Sequence, residues 1–192
     1  MLPENLQITV FPTKSLIKYQ ESIIHQIETM ERKTFPKNEI MTIKEEIAKK
    51  TNTLLIAYYV STENEKQNFE NKSNKEKKKE ISEAKNDLSK KHKVIKILGY
   101  LIYSHISLSI SPVTRILKLC IHPLSRRNGL GRMLLECTIK KTSVPQKCRA
   151  ELYVDTERLN AIKLYQKVGF KIKNKVKDYY ETGRDAWLME LS

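Results

Sequence analysis

The sequence predicts a mixed α/β sheet of about six to seven strands with helices on both faces. Three observations lead there. Short apolar and β-branched runs alternate along the chain with segments whose apolar residues recur at helical spacing. Proline or glycine punctuates several junctions, as at Pro36, Pro123 and Gly169. No internal repeat is visible, and 192 residues suffice for one domain, spanning 1–192, to bury a core without disulfides or metals.

Leu6, Ile8 and Val10 alternate before Pro12, which predicts an edge strand over 6–12. Thr13 can cap a first helix, and the apolar positions Leu16, Ile17, Ile23, Ile24, Ile27 and Met30 carry it to about Lys33. Pro36 stops it; Ile40, Ile43 and Ile47 mark a second helix beginning near Asn38, a good cap. Thr53 to Val60 is β-branched and aromatic and reads as a buried strand. Another strand runs from Val94 through Ile102, with a bulge or bend at Gly99. Ser104 to Thr114 reads as a hairpin connection around Pro112, and Val113 to Ile121 as the next strand. A helix over 130–142 follows, then a strand at Arg149 to Val154. The last helix buries Ala161, Leu164 and Val168 and is capped by Gly169; strands at Phe170 to Val176 and Ala186 to Leu191 complete the chain.

Between Thr62 and Lys93 the character changes. Ten lysines and seven acidic residues leave too little apolar surface to offset the entropy of ordering, so a disordered or loosely helical insertion is expected over about 62–93. Only +3 of the formal +14 falls there, and the basicity belongs mostly to the remainder. Such charge favours acidic partners: nucleic acid, a ribosome, an anionic membrane or an anionic cofactor. No nucleic-acid-binding signature accompanies it, so specific nucleic acid is not expected as a partner. The absence of an apolar stretch of about 18 residues, and of a signal-peptide pattern, sets membranes aside and predicts a cytoplasmic protein. Cys120, Cys137 and Cys148 are odd in number and lack metal-ligand spacing, so they are expected as core thiols, with neither disulfides nor a metal site.

The stretch from Leu119 to Gly131 reads Leu-Cys-Ile-His-Pro-Leu-Ser-Arg-Arg-Asn-Gly-Leu-Gly. An apolar strand ends at a proline, and two glycines flank the start of an amphipathic pattern at Leu130, Met133, Leu134 and Cys137. The first N–H groups of such a helix lack intrahelical partners and its dipole adds positive charge, so a pyrophosphate is stabilised there. Gly129 and Gly131 would allow close approach, and Arg126, Arg127 and Arg132 would add charge. The lysine-containing P-loop and the three-glycine dinucleotide fingerprint are both missing.

Arg126-x-x-Gly129-x-Gly131 resembles the acetyl-CoA pyrophosphate loop of the GNAT acetyltransferase superfamily. Ala161-Ile-Lys-Leu-Tyr165-Gln-Lys-Val-Gly-Phe170 is similar to that superfamily's Ala-x-x-Leu-Tyr-x-x-x-Gly-Phe segment. The tail from Asp178-Tyr179-Tyr180 to Met189 resembles the ending of protein Nα-acetyltransferases, among them the ribosomal-protein-alanine type, and Phe35-Pro36 resembles the link between their first two helices. The resemblance implies a GNAT fold and acetyl-CoA as cosubstrate. It implies contacts to acetyl-CoA from Leu119, Cys120 and Ile121, from Arg126, Arg127, Asn128, Gly129, Leu130, Gly131 and Arg132, and from Asn160 and Tyr165. The family usually has asparagine where Arg158 stands, with Asn160 displaced by two positions.

The implied activity is N-acetyl transfer to the α-amine of a protein or peptide N-terminus. A lysine side chain, polyamine or other small amine is the alternative acceptor, and a non-catalytic CoA-binding or ribosome-associated module is a third reading. A ribosome or auxiliary subunit would be a further partner. Acetyl transfer needs a neutral amine, a stabilised oxyanion and a proton for the departing thiolate. The resemblance implies a backbone N–H near Leu119 to Ile121 for the oxyanion and makes Tyr165 the candidate general acid. The customary glutamate or histidine base is missing; Glu39, or Tyr153 through a held water, is the candidate replacement. His122 reads as structural or phosphate-facing and Trp187 as core. Tyr179 and Tyr180 would hold the substrate backbone, and Phe35 and Pro36 would wall the pocket for its first side chain.

Overall fold

The computed structural model describes residues 2–62, 93–106, 112–146 and 149–191. The insertion expected at 62–93 therefore lies almost wholly outside the described residues, as does Cys148. Among these residues seven strands form one sheet: β1 (Gln7–Phe11), β2 (Asn52–Thr62), β3 (Lys93–Ile106), β4 (Val113–Ile121), β5 (Arg149–Asp155), β6 (Lys171–Glu181) and β7 (Arg184–Leu191). Their order is β1-β2-β3-β4-β5-β7-β6. Among the described residues only β4 and β5 pair parallel, and α3 (Leu130–Gln146) is the crossover between them.

Period-two alternation divides the core. Leu54, Ile56, Tyr100, Ile102 and Cys120 face α1 (Gln20–Thr34) and α2 (Ile43–Ala48), where Ile23, Ile24, Ile27, Met30 and Ile43 meet them. Leu55, Leu101, Leu152 and Met189 face α3 and α4 (Leu159–Val168), which supply Leu130, Leu134, Leu135, Ile162 and Tyr165. Burying one large aliphatic side chain stabilises the fold by about 1.5–3 kcal/mol, so these two layers hold the sheet rigid beneath the site.

Several elements differ from the sequence expectation, each for a local reason. The first α-helix begins at Gln20, after a 3-10 turn at Ile17–Tyr19. Thr13 does not cap it, since its hydroxyl lies 3.1 Å from that of Ser15. Asn38 sits in a second 3-10 turn, Lys37–Glu39, and α2 starts only at Ile43. The hairpin expected over 104–114 is shorter, because β3 runs to Ile106 and β4 begins at Val113. On α4 the buried side chains are Ile162 and Tyr165, with Ala161, Leu164 and Val168 partly buried beside them. Gly169 ends that helix with φ 109°, a left-handed position where glycine carries no Cβ penalty.

Candidate active site

The site begins with an irregularity in β4. Ile102 pairs with Lys118 but the next β3 residue, Tyr103, pairs with Ile116, so Leu117 is an extra residue on β4. The parallel ladder to β5 ends one position earlier, at Ile116 with Leu152. Beyond it β5 continues against β7 as far as Asp155, while β4 continues against β3 as far as Ile121. The two strands diverge, and no ladder joins Leu119–Ile121 to β5. Gly99 lets this end of β4 pack close: a Cβ there would meet Ile121 Cδ1 at 2.7 Å and the Cys120 carbonyl oxygen at 2.9 Å.

A cleft of about 750 Å³ opens at the divergence, lined by Leu119, Cys120 and Ile121, by the turn residues Arg126, Arg127, Gly129, Leu130, Gly131 and Arg132, and by Asn160, Lys163, Leu164, Tyr165 and Lys167 of α4. The first helical bond of α3 runs from Met133 N–H to the Gly129 carbonyl at 3.1 Å, which leaves the N–H groups before it for an anion. Gly129 has φ +80° and open space around its missing Cβ; Arg127 also has a positive φ of 64°. A Cβ on Gly131 would stand 3.1 Å from Leu164 Cδ2, so this glycine lets α4 approach the turn. The cationic lining and free amides fit a pyrophosphate-bearing ligand. Arg126 turns inward instead, its Nε–H donating to the Ile121 carbonyl at 3.0 Å and its NH2 to Thr34 Oγ1 at 3.4 Å. Arg132 pairs with Glu136 at 2.7 Å. Asn128 donates to the Arg126 carbonyl and is not among the lining residues.

A second chamber of about 100 Å³ lies on the other side of Tyr165, lined by Phe35, Glu39, Leu117, Lys118, Tyr153, Arg158 and Tyr180 among others. Phe35, Leu119, Arg158, Ala161 and Tyr165 line both cavities. Pro36 and Tyr179, expected in the pocket, line neither; Pro36 is exposed, and Tyr179 stacks on Tyr153 with ring centroids 4.6 Å apart. Tyr180 donates to the Tyr153 carbonyl at 3.4 Å.

Five ionic groups tie the chamber walls together. Glu39, on the turn after α1, accepts from Arg158 at 2.6 Å through one carboxylate oxygen and from Arg184 at 2.7 Å through the other. Arg184, at the start of β7, also bonds Asp155 at the end of β5 and Glu181 at 3.0 Å. Hydrogen bonds to these carboxylates hold Arg184 firmly cationic. Burial alone would raise Asp155, yet the Glu157 N–H and Arg184 hold it below the usual carboxylate value. With both oxygens engaged, Glu39 ties the turn after α1 to α4 and to the β6–β7 hairpin.

Burial pushes the Tyr165 phenol up to about 12, and nearby Tyr180 adds to the effect while Arg158 opposes it. Tyr165 therefore keeps its proton at neutral pH and can donate it. Burial likewise pushes Tyr180 up to about 12. His122, beside the turn, is held below its ordinary value by burial and by Lys33 and Arg126, and its backbone N–H bonds the Leu98 carbonyl. Lys118 was missed by the sequence reading. Its Nζ donates to the Glu39 carbonyl at 2.7 Å and lies 3.8 Å from the Phe35 ring centroid. One signal was available, a lysine inside the apolar strand Val113–Ile121. Arg158 and Arg184 carried no such signal, because the partner they share, Glu39, lies 119 and 145 residues away in sequence. Among the described residues no cluster of three or more His, Cys, Asp or Glu is placed to hold a metal ion.

A splayed β4–β5 pair beside a Gly-rich turn that opens a helix defines the GNAT fold. A family model described as an acetyltransferase (GNAT) domain matches residues 85–172. Among its relatives is an N-alpha-acetyltransferase of Sulfurisphaera tokodaii, 38% identical over 66 residues; that match covers 33% of this chain and 39% of the relative. Naa50 of Arabidopsis thaliana, solved with the bisubstrate analogue CoA-Ac-MVNAL, superposes with a TM-score of 0.62 at 20% identity, over 98% of this chain and 99% of that one. The ribosomal-protein-S18-alanine N-acetyltransferase of Escherichia coli superposes with a TM-score of 0.60 at 18% identity, over 97% and 92% of the two chains. At these identities the two superpositions speak for the fold.

Proposed function

We propose that the protein transfers the acetyl group of acetyl-CoA to the α-amine of a protein or peptide N-terminus. The observation that carries this is the junction of two unlike cavities at Tyr165: a long cationic cleft with free helix amides on one side, and a small chamber on the other. Acetyl-CoA fits the first with its pyrophosphate at Gly129–Gly131 and its thioester end at the edge of Leu119–Ile121 that no ladder joins to β5. The chamber is lined by Phe35 and Glu39 of the turn after α1 and by Tyr180 of the hairpin, with Glu39 held by Arg158 and Arg184. The names of the relatives support the same acceptor class.

In this mechanism the Tyr165 hydroxyl protonates the departing thiolate, since its raised pKa keeps it protonated at the pH of reaction. A backbone N–H of the diverging β4 segment stabilises the oxyanion. Arg158 and Arg184 hold Glu39, and through it the turn that bears Phe35. A thiol-release assay with acetyl-CoA and paired peptides, identical except for a free or formylated α-amine, tests the proposal. Release with the free peptides alone supports it; equal release with the formylated, lysine-bearing peptides refutes it.

A further inference from the structure

We propose that Lys118 takes up the proton that the substrate's α-ammonium must release, with Glu31 behind it as a positioning residue; this rests on the N-acetyl transfer proposed above. With Glu39 bound to two guanidiniums, the chamber needs another acceptor. Tyr165 and Tyr180 hold their protons too tightly to serve first. Lys118 lines the same chamber as Leu119 and Tyr165. Its side chain is only 9% exposed, and it follows directly on the extra residue Leu117 at the strand divergence.

The surroundings of Lys118 suit an amine that alternates between two protonation states. From α1 the wholly buried Glu31 approaches to 3.7 Å through Oε2, which also accepts the Met41 N–H at 3.0 Å. The other oxygen of Glu31, Oε1, has no hydrogen-bond partner among the described residues. From the turn after α1 come the Glu39 carbonyl and carboxylate, from the start of α4 Arg158, and on β4 itself Cys120. Burial lowers the Lys118 pKa most; Glu31 and Glu39 oppose it, and Arg158 lowers it further. Burial also raises Glu31, against the Met41 N–H and Lys118. Each charge is thus expensive in its site, and the pair is poised to exchange charge with the substrate.

The step balances as follows in atoms and electrons. Neutral Nζ accepts one proton from the α-ammonium; the freed nitrogen bonds to the thioester carbonyl carbon, and the C–S bond breaks with its electron pair leaving on sulfur. Tyr165 gives that sulfur a proton, and the proton shed by the newly acylated nitrogen restores the phenol. Lys118 later returns its proton to solvent. An α-amine has a pKa of about 7.7–8.0, so roughly one in ten is already neutral at pH 7 and the base is worth about tenfold there.

Lys118→Arg fixes the protonated state of this position, because its guanidinium cannot give up a proton. The expected result is a roughly tenfold loss of kcat/KM for a peptide at pH 7 that disappears above about pH 9. An acceptor carrying an aminooxyacetyl group in place of its first residue, neutral at pH 7, should show no loss. Glu31→Gln removes the negative charge that favours protonated Lys118, so the alkaline rise of kcat/KM should move to lower pH. Should the arginine variant fail to fold, the Lys118→Met, Glu31→Gln double variant removes both charges together and should show the same convergence at high pH. An unchanged pH profile in the variants, or an equal loss at every pH and with both acceptors, overturns the assignment of Lys118 while leaving acetyl transfer intact. A native chain inert toward both acceptors overturns the transferase reading and this assignment together.

Discussion

Replacing Arg184 by methionine should loosen the wall of the smaller chamber without touching the larger cleft. The guanidinium serves Asp155, Glu39 and Glu181, whose side chains are 5%, 8% and 52% exposed. Loss of one partner from a buried ion pair costs about 3–5 kcal/mol. Two features reduce that here: Arg184 is itself 24% exposed, and Glu39 keeps Arg158. About 2 kcal/mol remains, which for a chain of this size lowers Tm by roughly 4–8 °C. The pH dependence has a definite sign. Asp155 titrates below its unfolded value, so its contribution is complete above about pH 4 and is lost as the pH falls through its folded pKa. The gap between native and variant stability should therefore be widest near neutrality and close below pH 4. Urea melts at pH 7 and pH 3, with Arg184→Met combined with Asp155→Asn in a double-mutant cycle, measure it. A loss under about 0.5 kcal/mol at pH 7, or one that persists unchanged at pH 3, would refute the clamp.

The remaining predictions concern the cleft and the junction. Gly99→Ala forces a Cβ against the Cys120 carbonyl at 2.9 Å; it should cost about 1–3 kcal/mol in denaturant melts and weaken CoA binding in calorimetry by displacing β4. Gly129→Ala meets no neighbour but must hold φ near +80°, costing about 1–2 kcal/mol, so CoA affinity should fall up to about tenfold with little change in Tm if the turn relaxes instead. Tyr165→Phe should lower kcat by at least about 100-fold while calorimetric CoA affinity stays within about twofold, since only the proton is removed. Because the phenol lies near 12, kcat of the native chain should show no fall from Tyr165 ionisation below about pH 10 in a thiol-release profile.

What the sequence revealed and what it concealed follow from the range of each interaction. The turn from Arg126 to Gly131 is local: its strand, its glycines and its helix stand within a dozen residues, and the cleft forms around them. Tyr165 stood out through the resemblance of its segment, whereas helical spacing placed Ala161, Leu164 and Val168 on the buried face that Ile162 and Tyr165 occupy. The extra residue at Leu117 was invisible, because it exists only in the pairing of β4 with β3. The delayed start of α2 has the same origin. Asn38 is a good cap by chemistry, yet the next residue is held by Arg158 and Arg184 through its carboxylate and by Lys118 through its carbonyl, and the turn follows those contacts. The stacking of Tyr179 on Tyr153 is another contact between distant strands that no local pattern announces.

The most direct measurement uses one peptide that offers both kinds of amine, a free α-amine and a single internal lysine, incubated with the protein and acetyl-CoA and sequenced by tandem mass spectrometry. The predicted product carries its acetyl group on the first residue, with the lysine unmodified until that α-amine is consumed. Acetyl-lysine beside a free α-amine would contradict the proposed acceptor and with it the role assigned to the chamber beyond Tyr165.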